Sequence, residues 1–206
     1  SLALISADSS HLAALGSELG LPAERWLAHT ADLTSPAAAQ AAAAAVLAKF
    51  KRVESVLHLV GGWVGGKTVA QTPAAEVAAM LQQHVWTTFH VAQAFVPHLL
   101  ANGWGRIVAV SSPAAVRPRA RDAAYAIGKA AQEALLLTLA QELAGSGVTA
   151  NLIVVQAIDA QHRREHERTA ETANWTTPEE IASAITYLCS EAAGVVNGAR
   201  IPLYGV

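Results

Sequence analysis

A chain of 206 residues that is 52% hydrophobic and only 15% charged can bury a sizeable core, which excludes a disordered or fibrous protein. Its formal net charge of −2, with Lys and Arg scattered, leaves no basic stripe for nucleic acid. No apolar stretch approaches the roughly 20 residues of a membrane span, the start Ser-Leu-Ala-Leu-Ile-Ser has no basic leader region, and Cys189 has no partner for an intrachain disulfide, so cytoplasm is the simplest address.

Short apolar runs alternate with helical ones along the chain, the pattern of a parallel sheet covered by helices. Residues 2–6 read as a strand, 9–19 as a helix ending near Gly20, 26–30 as a second strand, and the alanine-rich stretch 36–50 as a helix. Residues 53–60 give a third strand, 73–101 one long helix, and 106–110 a fourth strand. A long, largely buried helix follows over 122–143, then strands at 148–155 and 199–203. Thr177, Pro178, Glu179 and Glu180 carry a helix-start signature, and Pro202 is tolerable only on an edge strand. Neither a second domain nor an internal repeat is apparent.

Three side chains point to chemistry. Tyr125 and Lys129 are four apart on the predicted 122–143 helix and share a face, so the ammonium can stabilise a phenolate and lower the Tyr pKa from about 10. A phenol so tuned is a general acid near neutral pH. Ser112 closes the apolar run that begins at Gly105, and a hydroxyl at a strand's C-terminal end faces the crevice where open α/β sheets bind ligands. Singly, each is better read as a core tyrosine, a solvated lysine or a cap; together they can bind and protonate a carbonyl oxygen.

With this strand, Ser-Ser, loop and Tyr-x-x-x-Lys arrangement, the chain resembles the short-chain dehydrogenase/reductase family through nearly all its length. The resemblance implies an α/β fold: a doubly wound, mostly parallel, Rossmann-like sheet with helices on both faces, as a single domain over residues 1–206. It implies NAD or NADP as cofactor, with Ser112 binding the carbonyl, Tyr125 transferring the proton and Lys129 tuning it, as in a 3-oxoacyl reductase. His84 stands where an asparagine normally joins the proton relay. Asp32, Leu33, Gly61, Gly62, Tyr125, Lys129 and Ile158 are the cofactor contacts it implies, and residues 161–168 a lid over a small-molecule substrate. No metal is implied. Helices around Trp86 and Leu136 resemble those that form four-helix interfaces, so a homodimer or homotetramer is expected.

The departures are equally specific. The resemblance begins at the family's second strand; the first strand and its TGxxxGxG turn, whose glycines let the backbone approach a pyrophosphate, are missing. That strand is central, so its loss leaves apolar surface and unpaired backbone on its neighbours, and we expect the natural protein to carry further residues before Ser1. His58-Leu-Val-Gly61 replaces Asn-Asn-Ala-Gly, Val155-Gln156 replaces Pro-Gly, and Ala160 replaces a threonine that holds the nicotinamide amide. Ser6 and Ala7 are uncharged and select neither cofactor. These changes keep open a catalytically silent scaffold or ligand-binding subunit. His84 itself reads as a relay group or as a core residue with one ring nitrogen bonded to a carbonyl.

Two motifs compete. Residues 61–68 fit the GxxxxGK[ST] phosphate loop, which would make an NTPase, but a helix must then begin at Lys67-Thr68, whereas Thr72 as cap and Pro73 as first helical residue place it later. No later strand ends in an Asp for Mg²⁺. His162-Arg-Arg-Glu-His166 fits the HxxEH pattern of zinc peptidases, but its neighbours read as a solvated helix face with i, i+4 pairs.

Overall fold

The computed structural model describes residues 1–204. β1 (Leu2–Ser6) leads to α1 (Ser9–Glu18), whose first turn is capped by the Asp8 carboxylate accepting from the Ser10 and His11 amides. β2 (Trp26–Thr30) is followed by α2 (Pro36–Phe50), which starts with Ser35 as cap and proline in its first turn and stops at Lys51 in the left-handed conformation, φ 64°. β3 (Ser55–His58) precedes a helical rod made of α3 (Ala74–Leu81), a π turn (Gln82–Trp86) and α4 (Thr87–Ala101). Then come β4 (Gly105–Ser111), α5 (Ala123–Glu142), β5 (Val148–Val155), the single turn α6 (Arg163–His166), α7 (Pro178–Leu188) and β6 (Arg200–Leu203).

Every strand pair is parallel, but the strands form two sheets, β1 with β2 and β3-β4-β5-β6 in that order. Among the described residues no strand pairs with the other edge of β1 or of β3. Uncovered apolar side chains accompany that gap: Leu57 and Leu59, on and just after β3, are 41% and 59% exposed. Pro202 sits on the outer strand β6, opposite Val154, where its missing N–H costs no ladder bond to a further strand.

Side-chain alternation along β4 and β5 divides the core between the two faces of the larger sheet. Ile107, Ala109, Val148, Ala150 and Leu152 join one cluster with residues of α2, α4 and α5. Val108, Ile153 and Val155 join the other, against Ile181 and Leu188 of α7. The first cluster also takes Ala31, Leu33 and the α2 alanines Ala39, Ala42 and Ala43, so the helix layer spans both sheets although no ladder does. Alanine lets these helices pack closely, which is why the low-complexity stretch is ordered and not a linker.

Three expectations need correction. The single helix expected over 73–101 is broken by the π turn, because the Thr87 and Thr88 hydroxyls donate to the Gln83 and His84 carbonyls at 2.6 and 2.5 Å and displace the regular ladder. Pro73 takes the cap position and Ala74 is the first helical residue, while the Thr72 hydroxyl bonds the Thr68 carbonyl instead of capping. The strand expected over 53–60 is confined to Ser55–His58. Thr177 and Glu180 do form a reciprocal capping box at α7. Gly205, two residues beyond the strand expected at 199–203, lies outside the described residues.

Candidate active site

Because all strands run parallel, the C-terminal ends of β3, β4 and β5 open on one edge of the larger sheet, and the candidate residues collect there. Ser112 follows β4 directly; its hydroxyl accepts from the Ala114 amide and starts a 3₁₀ turn, Pro113–Ala115, that ends the strand. Ser112 is buried and Tyr125, in the first turn of α5, is half-buried. Lys129, one turn on, is 5% exposed, an unusual place for an ammonium, and two of its N–H groups are committed, to the Val110 carbonyl at 2.9 Å and to Gln132 Oε1 at 3.0 Å. Gln132 in turn donates to the Thr88 hydroxyl, which donates to the His84 carbonyl. The π turn and the lysine are thus one hydrogen-bonded unit.

His84 sits in that π turn, fully buried, with its ring edge-on to Tyr125 at 5.7 Å between centroids. Its Nε2 lies 3.0 Å from the Gly62 carbonyl, which can only accept, so Nε2 carries the proton and Nδ1 keeps a lone pair. Nδ1 has no partner within the described residues. A Cβ at Gly61 would lie 3.7 Å from that Nδ1 and 3.8 Å from the Lys129 Nζ, so glycine there leaves a gap facing both nitrogens. His58, also buried, places Nε2 3.2 Å from the Thr87 hydroxyl.

Burial dominates the electrostatics. It pushes Lys129 down to about 8, with nearby Glu133 opposing. It lowers His84 and His58 to about 4 each, helped by the Lys129 charge, so both rings are neutral at pH 7. Tyr125 is raised above the ordinary phenol value by burial, with the neighbouring Ser112 hydroxyl working the other way and Asp122 adding to the rise. The net lowering of the phenol expected from Lys129 is therefore not met, because burial of the ring outweighs the support of an ammonium that has two of its three protons directed at Val110 and Gln132.

Not all candidates converge. Ser112, Tyr125, Lys129, His84, Gly61 and Gly62 share the β3–β4 edge. Ile158 follows β5 and is 52% exposed. Asp32 and Leu33 lie beyond β2, in the other sheet: the Asp32 carboxylate accepts from the Thr34 amide and hydroxyl, and Leu33 is a core residue whose carbonyl accepts from His90 Nδ1. Sequence reasoning missed Gln132, Thr88 and the buried Glu133, which accepts from Ser111 and from Arg200. The spacing of Gln132 and Glu133, three and four residues beyond Lys129, was the available signal.

The rival motifs dissolve. Lys67 pairs with Glu76, Thr68 caps a 3₁₀ turn (Val69–Gln71), and α3 begins only at Ala74, so no helix N-terminus converges with the lysine. His162 contacts Glu165 and Glu179, and Arg163 contacts Glu167, an ion-paired surface. The Asp159 carboxylate, which accepts from the Arg163 and Arg164 amides, holds that segment to the end of β5.

The chain matches, over residues 2–205, the family described as enoyl-(acyl carrier protein) reductase. It is 32% identical over 147 residues to nodulation protein G of Azospirillum brasilense, covering 68% of this chain and 60% of that protein's length. It is 27% identical to 2,3-dihydroxy-2,3-dihydro-p-cumate dehydrogenase of Pseudomonas putida, over 96% of this chain and 81% of that one. A 7α-hydroxysteroid dehydrogenase solved with NADH and 7-oxo glycochenodeoxycholic acid superposes with a TM-score of 0.85 at 25% identity, covering 100% of this chain and 83% of its own. With the motif residues, the fold and these relatives in agreement, this chain belongs to the short-chain dehydrogenase/reductase family.

Proposed function

We propose that the protein is an NAD(P)-dependent oxidoreductase that interconverts a carbonyl and an alcohol, with Tyr125 as general acid or base. The observation that carries this is the convergence of Ser112, Tyr125 and a buried Lys129 on one edge of the parallel sheet. A nicotinamide cofactor, when bound, supplies or accepts the hydride. The residues present suit it in part: Gly61 and Gly62 bring the backbone to the β3 edge without side chains, Ile158 offers an exposed apolar surface beyond β5, and Asp32 an exposed carboxylate beyond β2.

The chain's own contribution is placement and a proton. Ser112 donates to the carbonyl oxygen and holds it at Tyr125. Because burial keeps the phenol protonated at pH 7, it enters the reaction in acid form, suited to protonating that oxygen during reduction. The charged Lys129 beneath it stabilises the phenolate left behind. His84, with Nε2 fixed on Gly62 and a free lone pair at Nδ1, accepts a hydrogen bond at the gap beside Gly61, which Lys129 also faces. Gln132 holds Lys129 in place.

On this reading residues 1–206 act as one dinucleotide-binding domain in the cytoplasm; among the described residues no helix is long and apolar enough to cross a membrane. Trp86 and Phe89, 47% and 36% exposed and in edge contact on the rod, support self-association through α4 and α5 as a homodimer or homotetramer. The test is oxidation of NADH or NADPH with a panel of ketones and 3-oxoacyl thioesters. Turnover is expected with at least one, and Tyr125→Phe should reduce it by about 10²–10⁴-fold. Equal turnover by the variant would remove Tyr125 from the mechanism.

A further inference from the structure

A cavity of about 520 Å³ opens at the carboxyl ends of β4, β5 and β6, beginning at Pro113, the residue after Ser112. That is room for a ligand of ordinary metabolite size. Arg117, Arg119 and Arg200 line it together with the amides of Gln156 and Asn174, and among the described residues no aspartate or glutamate lines it. The three guanidinium groups are not equivalent. Arg200 is spent, gripping both oxygens of the buried Glu133 at 2.6 and 3.1 Å. Arg117 and Arg119 make no ion pair and no side-chain hydrogen bond among the described residues.

Their loop is held in place. The Arg117 amide donates to the Pro113 carbonyl at 2.8 Å, the Asp122 amide to the Arg119 carbonyl at 3.3 Å, and Gly66 from the glycine loop to the Arg121 carbonyl at 2.8 Å. Of the acidic groups of the neighbouring 162–180 segment, Glu167 and Glu180 pair with Arg163 and Arg164 of that same segment, Glu165 and Glu179 contact His162, Glu171 acts on Arg163, and none of the five lines the cavity. Two unmatched, fork-shaped donors therefore face a cavity that starts beside the carbonyl anchor. Guanidinium forks suit planar or tetrahedral oxyanions, and a neutral ligand would leave both charges unmatched.

We propose that this cavity receives an anionic group of the carbonyl or alcohol substrate, a carboxylate or phosphate held by Arg117 and Arg119, with the amides of Gln156 and Asn174 beside it. The proposal rests on the reductase reading for the carbonyl end of the ligand, but the anion subsite is testable without turnover. The probes are 3-oxooctanoate, its methyl ester, and the phosphonate counterpart of the acid, each titrated calorimetrically against the full chain and against Arg117→Gln/Arg119→Gln. Both arginines are exposed and unpartnered, so the double variant should fold, which its melting curve checks. The expected result is binding of one or both anions at least about tenfold tighter than the ester, falling to within about twofold in the variant. The tighter anion names the head group. Equal affinity for acid and ester, no binding of either anion, or an anion preference that survives in the variant would overturn the proposal. Anion-selective binding without NAD(P)H oxidation would keep the subsite and sink the reductase reading, so the two failures are told apart.

Discussion

At the level of single residues, burial sets the protonation states of Lys129, His58 and His84. Lys129 at about 8 stays charged at pH 7 but loses its proton across mildly alkaline pH, and its support of the phenolate goes with it. Reduction should therefore decline as pH rises through about 8, and a rate profile flat to pH 9.5 would contradict this role. His58 and His84 act in the acid range. Each is lowered to about 4 in the folded state from an ordinary 6.5, so between those values the unfolded chain binds more protons than the folded one. Their stabilising contribution is complete above pH 6.5 and is lost as pH falls towards 4, on the order of 3 kcal/mol for each histidine. Denaturant titrations at pH 7 and pH 4.5 should show that loss, and His58→Gln should make it clearly shallower. An identical pH dependence in the variant would count against burial of a neutral His58. Ser112, Tyr125 and Lys129 were legible from sequence because a strand end and an i, i+4 pair fix their relative placement. The tuning of Tyr125 was not, because it depends first on how far the folded chain buries the phenol, which spacing along one helix does not reveal.

The α3–π–α4 rod and α5 carry the site between them, and both owe their shape to close contact. A Cβ at Gly128 on α5 would meet the Met80 carbonyl oxygen at 3.0 Å and His84 Cδ2 at 3.1 Å. Glycine is there to let the two helices touch where His84 turns inward. Gly128→Ala should consequently destabilise the protein by about 1–2 kcal/mol, although alanine favours helix by up to about 1 kcal/mol over glycine, and it should reduce activity by displacing His84. A stabilised, fully active Gly128→Ala protein would show that the approach is looser than described. The helical rod was foreseeable from its apolar spacing; the π turn within it was not. It arises where consecutive threonines, Thr87 and Thr88, compete for backbone carbonyls, and helix periodicity carries no signal for that.

For the molecule as a whole, the divided sheet is the governing feature. β4 and β5 share seven paired positions and are almost wholly buried, whereas β1 and β2 form a two-stranded sheet tied to the rest through the helix layer and not through hydrogen bonds between strands. An isolated strand pair is marginal by itself. Hydrogen exchange should therefore protect the β4 and β5 amides close to the global limit and release those of β1 and β2 by a lower-energy opening. Uniform protection across both sheets would contradict the division. The parallel α/β architecture could be read from alternating strand and helix patterns, and five of the six strands from their apolar runs with little error in their ends. The division between β1 and β3 is not legible locally, since no pattern in residues 2–6 or 55–58 says which edge of each strand is paired.

The account turns on whether the altered loop at Gly61, together with the matching Asp32 and Leu33, still forms a dinucleotide site in front of Tyr125. Titration of NADH and NADPH against the full chain, followed by intrinsic tryptophan fluorescence, asks this directly. Saturable micromolar binding of at least one of them is the expected result. Absence of binding to both, by a protein that melts cooperatively, would contradict the oxidoreductase reading and leave a folded relative kept for some other purpose.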